Sequence, residues 1–215
     1  MGRRIRMAAV LLCMLIGLTG CKKDNDSSSE PNTNTIILNE DGSFTGYVRQ
    51  AFDESLYSFE MLQTMVNAEI DHYNTQLGSS AVSLLKCELE EGSIVLSISY
   101  ATAEDYSRFN SEIFFYGTIR EAVEAQYDLS QLRMVDASDQ TREIAREELE
   151  LMPNSYILIM ETSVNLKSYR QVEYLEPWDT LVNAYEVQFA DTEENKEEGD
   201  LAEASAFILH SVIFK

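Results

Sequence analysis

Only two imidazoles are available for acid–base or metal chemistry in this chain of 215 residues, His72 and His210. His72 falls one position off the apolar stripe of Phe59, Leu62, Val66, Ile70 and Tyr73, which makes it a helix-edge polar residue. His210 lies between Leu209 and Ser211 in a terminal apolar run, where a half-buried, hydrogen-bonded ring is expected. A serine–histidine–acid relay has its residue types, because Ser and Asp are plentiful, but no G-x-S-x-G element presents a nucleophile. Zinc lacks a recognisable ligand spacing, since Cys87 stands alone and the two histidines are far apart in sequence. The nine glycines are scattered and form no phosphate-binding loop. No catalytic residue, metal ligand or cofactor is therefore expected.

Carboxylates are abundant, and their pairing in space is invisible in a sequence. Asp191, Glu193, Glu194, Glu197, Glu198 and Asp200 offer calcium-type oxygens without the ordered spacing of a calcium loop, and Asp24-Asn25-Asp26 is a still shorter fragment; both read as solvated segments. Aromatic rings give a better basis for recognition: 11 Tyr, nine Phe and a single Trp. The stretch Tyr174-Leu175-Glu176-Pro177-Trp178-Asp179 places Trp178 in an expected turn, so Tyr174 and Trp178 are the residues singled out for binding a sugar or peptide.

At the N-terminus Arg3, Arg4 and Arg6 precede an uncharged apolar run from Met7 to Leu18, the pattern of a secretory signal peptide over residues 1–20. The run stops short of the roughly 20 residues that a membrane-spanning helix requires. Leu18-Thr19-Gly20-Cys21 resembles the lipobox of bacterial lipoproteins, which implies lipid on the Cys21 thiol and cleavage before it. Two or three acyl chains, of palmitate type, anchor stably to a bilayer without a protein span. Cys13 then leaves with the signal and Cys21 is taken by lipid. Cys87 remains, in the alternating stretch Leu85-Lys86-Cys87-Glu88-Leu89, where it packs as a small hydrophobe. With no disulfide possible, the fold must stand on its apolar core.

Loss of the three signal arginines leaves 13 basic residues against 37 acidic, a formal net charge of −24. Such a surface repels nucleic-acid backbones and anionic headgroups. Residues 22–35 contain no aliphatic or aromatic side chain, so residues 21–35 read as a disordered tether, about 20 Å in mean reach.

The remainder reads as α+β: N-terminal hairpins and amphipathic helices, then a C-terminal part rich in antiparallel strands. Asp41-Gly42 between apolar runs predicts one hairpin, and Glu90-Glu91-Gly92-Ser93 between Leu85–Leu89 and Ile94–Tyr100 predicts a second. The Phe59–Tyr73 stripe ending before Gly78 predicts a helix. Thr102 with Asp105 starts a short one, and Thr118 with Glu121 forms a capping box opening a helix over 119–127. A charged helix is expected around 143–152, ended by Pro153, and five strands follow over 156–160, 164–166, 172–175, 181–189 and 206–214. The change of character after Asp128 suggests an α+β domain over 36–128 and a β-rich domain over 129–215, with a continuous unit as the alternative.

The segments LNEDGSFTGYVRQAFDESLYSFEMLQTMVNAEIDHYN, SYATAEDYSRFN and FFYGTIREAVEAQYDL resemble an uncharacterised lipoprotein family of anaerobic, low-GC Gram-positive gut bacteria. The resemblance implies a location, the outer face of a single cytoplasmic membrane, and brings no activity with it. Lipid bilayer through Cys21 and a sugar, peptide or protein ligand at the envelope are the expected partners, and nucleic acid is not. A non-catalytic binding module is the expected function. A carboxylate-dependent hydrolase of wall or dietary polymer, or a structural or chaperone-like spacer, is the alternative.

Overall fold

A computed structural model describes residues 30–190 and 209–215; the expected signal peptide, Cys21 and the acidic stretch 191–203 lie outside the described residues. Among the described residues, four helices and 13 strands form an α+β fold whose C-terminal half is rich in strands. The first expected hairpin forms from β1 (Thr35–Leu38) and β2 (Phe44–Ala51), with Gly42 at φ 84° in the turn between them. The second forms from β3 (Val82–Glu90) and β4 (Ser93–Tyr100), turned by Glu91 and Gly92, both at positive φ as a tight two-residue hairpin demands. Between the hairpins runs α1 (Phe59–Leu77), capped by the Ser58 side chain and ended by Gly78 in the left-handed region.

The capping signals are realised as read. Thr102 caps α2 (Ala103–Asn110) by accepting from the Asp105 amide, and Thr118 with Glu121 makes a complete capping box on α3 (Ile119–Glu124). That helix ends sooner than the pattern suggests, with Gln126 at positive φ stopping it. The charged segment contributes less helix than expected. Glu143 closes β7 (Asp139–Glu143), paired with the two-residue β6 (Val135–Asp136), and α4 is confined to Arg146–Glu150. The expected strand over 181–189 is a hairpin of β11 (Thr180–Asn183) and β12 (Glu186–Gln188), because Asn183 folds back onto the Tyr185 amide and turns the chain.

With β5 (Phe114–Thr118), β8 (Tyr156–Met160), β9 (Asn165–Ser168), β10 (Val172–Leu175) and β13 (His210–Phe214), the strands make two sheets. The seven-stranded sheet has the order β11-β12-β9-β1-β2-β4-β3 and the six-stranded sheet the order β5-β8-β13-β10-β6-β7. Every pairing is antiparallel except β1 with β9. Both halves of the chain contribute to both sheets: β1 pairs with β9, and β5 with β8. Strands from both sides of Asp128 therefore share both sheets and one main core cluster.

That core lies between the sheets, where Ile36, Leu38, Phe44, Leu96 and Ile98 meet Phe114, Leu158, Met160, Val212 and Phe214. Ile70 of α1 joins it, and the Asn74 side chain grips both backbone groups of Val82, fixing α1 to the start of β3. A second cluster on the far face of the six-stranded sheet packs Ile157, Ile159, Tyr174 and Ile213 under Ile119 and Ala122 of α3 and Leu149 of α4. Successive residues of β8 and β13 thus serve opposite clusters, which explains their unbroken apolar sequences.

The described end of the expected tether, residues 30–35, is held against the fold. Thr35, counted with it, is the first residue of β1 and only 2% exposed. Glu30 pairs with Lys86 at 2.8 Å, Thr33 accepts from the Asn165 amide group and Asn34 from the Arg49 backbone.

Phe44 is fully buried and meets Phe114 edge-on at 4.9 Å and Tyr116 at 5.6 Å across the gap between the sheets. Truncation to alanine at that point leaves a cavity walled by two stiff sheets. Phe44→Ala is expected to cost about 3–5 kcal/mol, read as a lower urea midpoint in equilibrium unfolding, whereas Val182→Ala on the exposed edge hairpin should cost within roughly 0.5 kcal/mol.

Candidate functional site

The turn after β10 is written in four residues. Pro177 supplies the fixed φ of its first central position, and the Asp179 amide closes it onto the Glu176 carbonyl at 3.1 Å. Residues at the two ends of such a turn lie close together, so the carboxylates of Glu176 and Asp179 converge. The sheet brings the third member. β13 lies antiparallel to both β8 and β10, with His210 opposite Met160 and Val212 opposite Leu175, so His210 sits where β10 runs out into the turn.

Nδ1 of His210 lies 3.4 Å from Asp179 Oδ1 and 4.0 Å from Glu176 Oε2. The three residues are 0%, 3% and 2% exposed in the order His210, Asp179, Glu176. The other ring nitrogen, Nε2, meets the Ser163 hydroxyl at 3.0 Å. Ser163 stands on the exposed loop between β8 and β9, which is held by Thr162 donating to Glu112 at 2.5 Å and by the Ile113 amide donating to Glu161 at 3.0 Å. Phe189 packs on the ring with centroids 4.7 Å apart, and the Ala190 amide donates to Asp179 Oδ1 at 3.0 Å.

Electrostatically the cluster is under tension. Burial first, and then the neighbouring Asp179, push the Glu176 carboxyl up to about 8, against the opposing effect of its hydrogen bonds from Trp178 and the Ser211 backbone. Asp179 Oδ2 and His210 Nδ1 have no hydrogen-bond partner among the described residues.

The chain Ser163–His210–Asp179 has the members of a hydrolytic triad, but it lacks the bond that would make it one. In a triad the imidazole Nδ1–H donates to the carboxylate, which leaves Nε2 free to take the serine proton. Here Nδ1 makes no such bond. The Nε2–H tautomer would donate to Ser163 and turn the Nδ1 lone pair toward the two carboxylates. A shallow recess of about 420 Å³ between Met152–Tyr156, Arg170 and Lys215 contains none of these groups.

No protein-family model, curated protein or solved structure matches this chain.

The residues singled out from the sequence are separated by the fold. Trp178 is 41% exposed and donates its indole N–H to Glu176 Oε2 at 3.1 Å, whereas Tyr174, at 9%, is part of the second core cluster. They form no common platform, because residues 174 and 178 are divided by the strand end and the turn. His72 is exposed and lies 2.8 Å from the Gln76 amide nitrogen, as a helix-edge residue would. Cys87 packs against the main core and burial raises its thiol, in keeping with a small hydrophobe. His210 is hydrogen-bonded as expected but wholly buried, not half-buried, because both neighbouring strands cover it. Sequence reasoning passed over Glu176 and Asp179 as a pair, although Pro177 between them was the signal that their ends would meet.

Glu112, like Glu176, is raised above its usual 4.5, chiefly by burial. For a raised carboxyl the folded state keeps its proton while the unfolded state has lost it, so the stability present below pH 4.5 is lost as the pH rises through the folded value. Carboxyls nearer the surface held low by serine side chains or by basic neighbours, such as Asp41, Asp136 and Glu90, act in the opposite direction and lose their contribution as the pH falls through their folded values. Unfolding stability, measured in urea with EDTA present, should fall steadily from about pH 5 toward about pH 8, and Glu112→Gln should flatten part of that slope. An unchanged slope in the variant would remove Glu112 from the account.

Proposed function

We propose that this chain is a lipid-anchored, extracytoplasmic binding module, tied to a bilayer through Cys21 and engaging a sugar or peptide ligand of the cell envelope through the β11–β12 hairpin. One observation carries the ligand reading. Trp178, Val182 and Tyr185, on and immediately before that hairpin, are 41%, 51% and 50% exposed, and β11 is the outermost strand on its side of the seven-stranded sheet among the described residues. Exposed aromatic and apolar side chains at the outer strand of a sheet offer stacking surface, and both sugars and extended peptides use such surfaces. The Trp178 ring is oriented by its bond to Glu176, so part of its ordering cost is met before any ligand arrives.

The anchor reading rests on Leu18-Thr19-Gly20-Cys21 after its apolar run, on the polar residues that follow, and on the resemblance to envelope lipoproteins. The hydrolase alternative has a carboxylate pair in Glu176 and Asp179, both with almost no exposure, and Glu176 is bonded to the Trp178 indole. Substrate would have to displace that ring to reach them.

Intact mass and detergent partitioning of protein expressed with its own N-terminus in a lipoprotein-processing bacterium should show a lipidated chain beginning at Cys21, and Cys21→Ser should leave it in the aqueous phase; two aqueous, unmodified proteins would end the anchor reading. Because Trp178 is the single tryptophan, its fluorescence reports on the hairpin alone. Titration with soluble muropeptides, β-linked oligosaccharides and extended peptides should shift it saturably with one class, and Tyr185→Ala should weaken that binding by roughly tenfold or more. A flat response to all three would sink the ligand reading while leaving the anchor untouched.

A further inference from the structure

Three electron-rich atoms converge at the Glu176–Asp179 turn with nothing positive between them: a carboxylate oxygen from each acid and the Nδ1 lone pair of His210. One such atom from each residue lies within 4.8 Å of the others. Ionised together beside a neutral ring, all three under 4% exposed, the two carboxylates would hold a charge of −2 out of reach of water, an arrangement that is costly to bury without a counter-charge. A +2 ion cancels it.

We propose that Glu176, Asp179 and His210 bind one divalent transition-metal cation, His210 through Nδ1 and each acid through one oxygen, with Ser163 as the positioning residue that fixes the imidazole. The donor set selects the class of ion: an imidazole nitrogen beside carboxylates suits zinc, cobalt or manganese, whereas calcium and magnesium prefer oxygen alone. Metal bonds of about 2.0–2.2 Å place tetrahedral ligand atoms roughly 3.4 Å apart. The Nδ1 to Asp179 Oδ1 separation of 3.4 Å already has that value, and Glu176, at 4.0 Å, needs a small side-chain adjustment.

The supporting contacts are those a metal-bound histidine uses. Its second nitrogen bonds to an outer group, the Ser163 hydroxyl, which holds the tautomer that frees Nδ1. Asp179 Oδ1, the oxygen 3.4 Å from Nδ1, also accepts from the Ala190 amide and has a further lone pair for an ion, Oδ2 is unpartnered, and Phe189 supplies an apolar wall. Ser163 is exposed and Trp178 partly so, which sets the cluster one side chain below the surface and gives an ion a short path in. The inference stands independently of the anchor and of any envelope ligand.

The test uses the full chain, stripped with chelator and titrated with Co²⁺ while the fluorescence of Trp178 is followed, since its indole touches Glu176. Saturable quenching at one equivalent is expected, reversed by EDTA and competed by Zn²⁺ but not by equal Ca²⁺ or Mg²⁺. The near-isosteric variants Asp179→Asn and Glu176→Gln, with folding verified by circular dichroism, should weaken Co²⁺ binding by more than about 100-fold, beyond what loss of an outer contact costs. Ser163→Ala should weaken it by roughly tenfold, and Cys87→Ser should leave it unchanged. Absence of a saturable phase in the wild-type chain, equal competition by Ca²⁺, or undiminished binding by a folded Asp179→Asn variant would each overturn the proposal. If neither acid variant folds, the wild-type titration and its competition series decide the matter alone.

Discussion

Apolar burial between the two sheets is the constraint from which the other features follow. Phe44 from the seven-stranded sheet is inserted edge-on against Phe114 from the six-stranded sheet, and Leu38, Leu158, Leu166 and Phe214 close around the same space. The chain has no disulfide available among its described residues, where Cys87 is the one thiol and is free. Full burial of one such side chain contributes about 1.5–3 kcal/mol, comparable in size to a typical disulfide, so a layer of some twenty buried residues is what holds the sheets in register. The position of every polar residue near the turn after β10 is inherited from that register.

Local order was legible in the sequence because local chemistry dictates it. Gly42 and Gly92 had to mark turns, since each adopts a positive φ that other residues resist; Thr118 and Glu121 had to start a helix, since each satisfies a backbone or side-chain group of the other. Long-range order was less legible. Nothing in TIIL or NLKS says that residues 35–38 and 165–168 lie side by side in parallel, and without that pairing the composition shift after Asp128 looked like a boundary. The helix expected over 143–152 was shortened because the competing claim of β6 on Glu143 is tertiary, not local.

The candidate site shows the same division. Pro177 between Glu176 and Asp179 makes a turn that can be read from four letters, and the exposed ring of Trp178 follows from its place in that turn. His210 joins them only through strand pairing, and Ser163 only through the loop that Thr162 and Glu112 secure some fifty residues apart in sequence. A metal-type arrangement assembled from a turn, a strand end and a distant loop has no linear motif, which is why spacing rules for zinc found none.

The placement of β13 has a bearing on when this fold can exist at all. His210–Phe214 is buried at every position and hydrogen-bonded on both sides to strands that precede it in the chain. A chain delivered N-terminus first, whether from a ribosome or through a membrane channel, holds an open slot between β8 and β10 until β13 arrives. The middle of the six-stranded sheet is thus filled after its flanks, and the imidazole of the histidine–carboxylate cluster arrives with it.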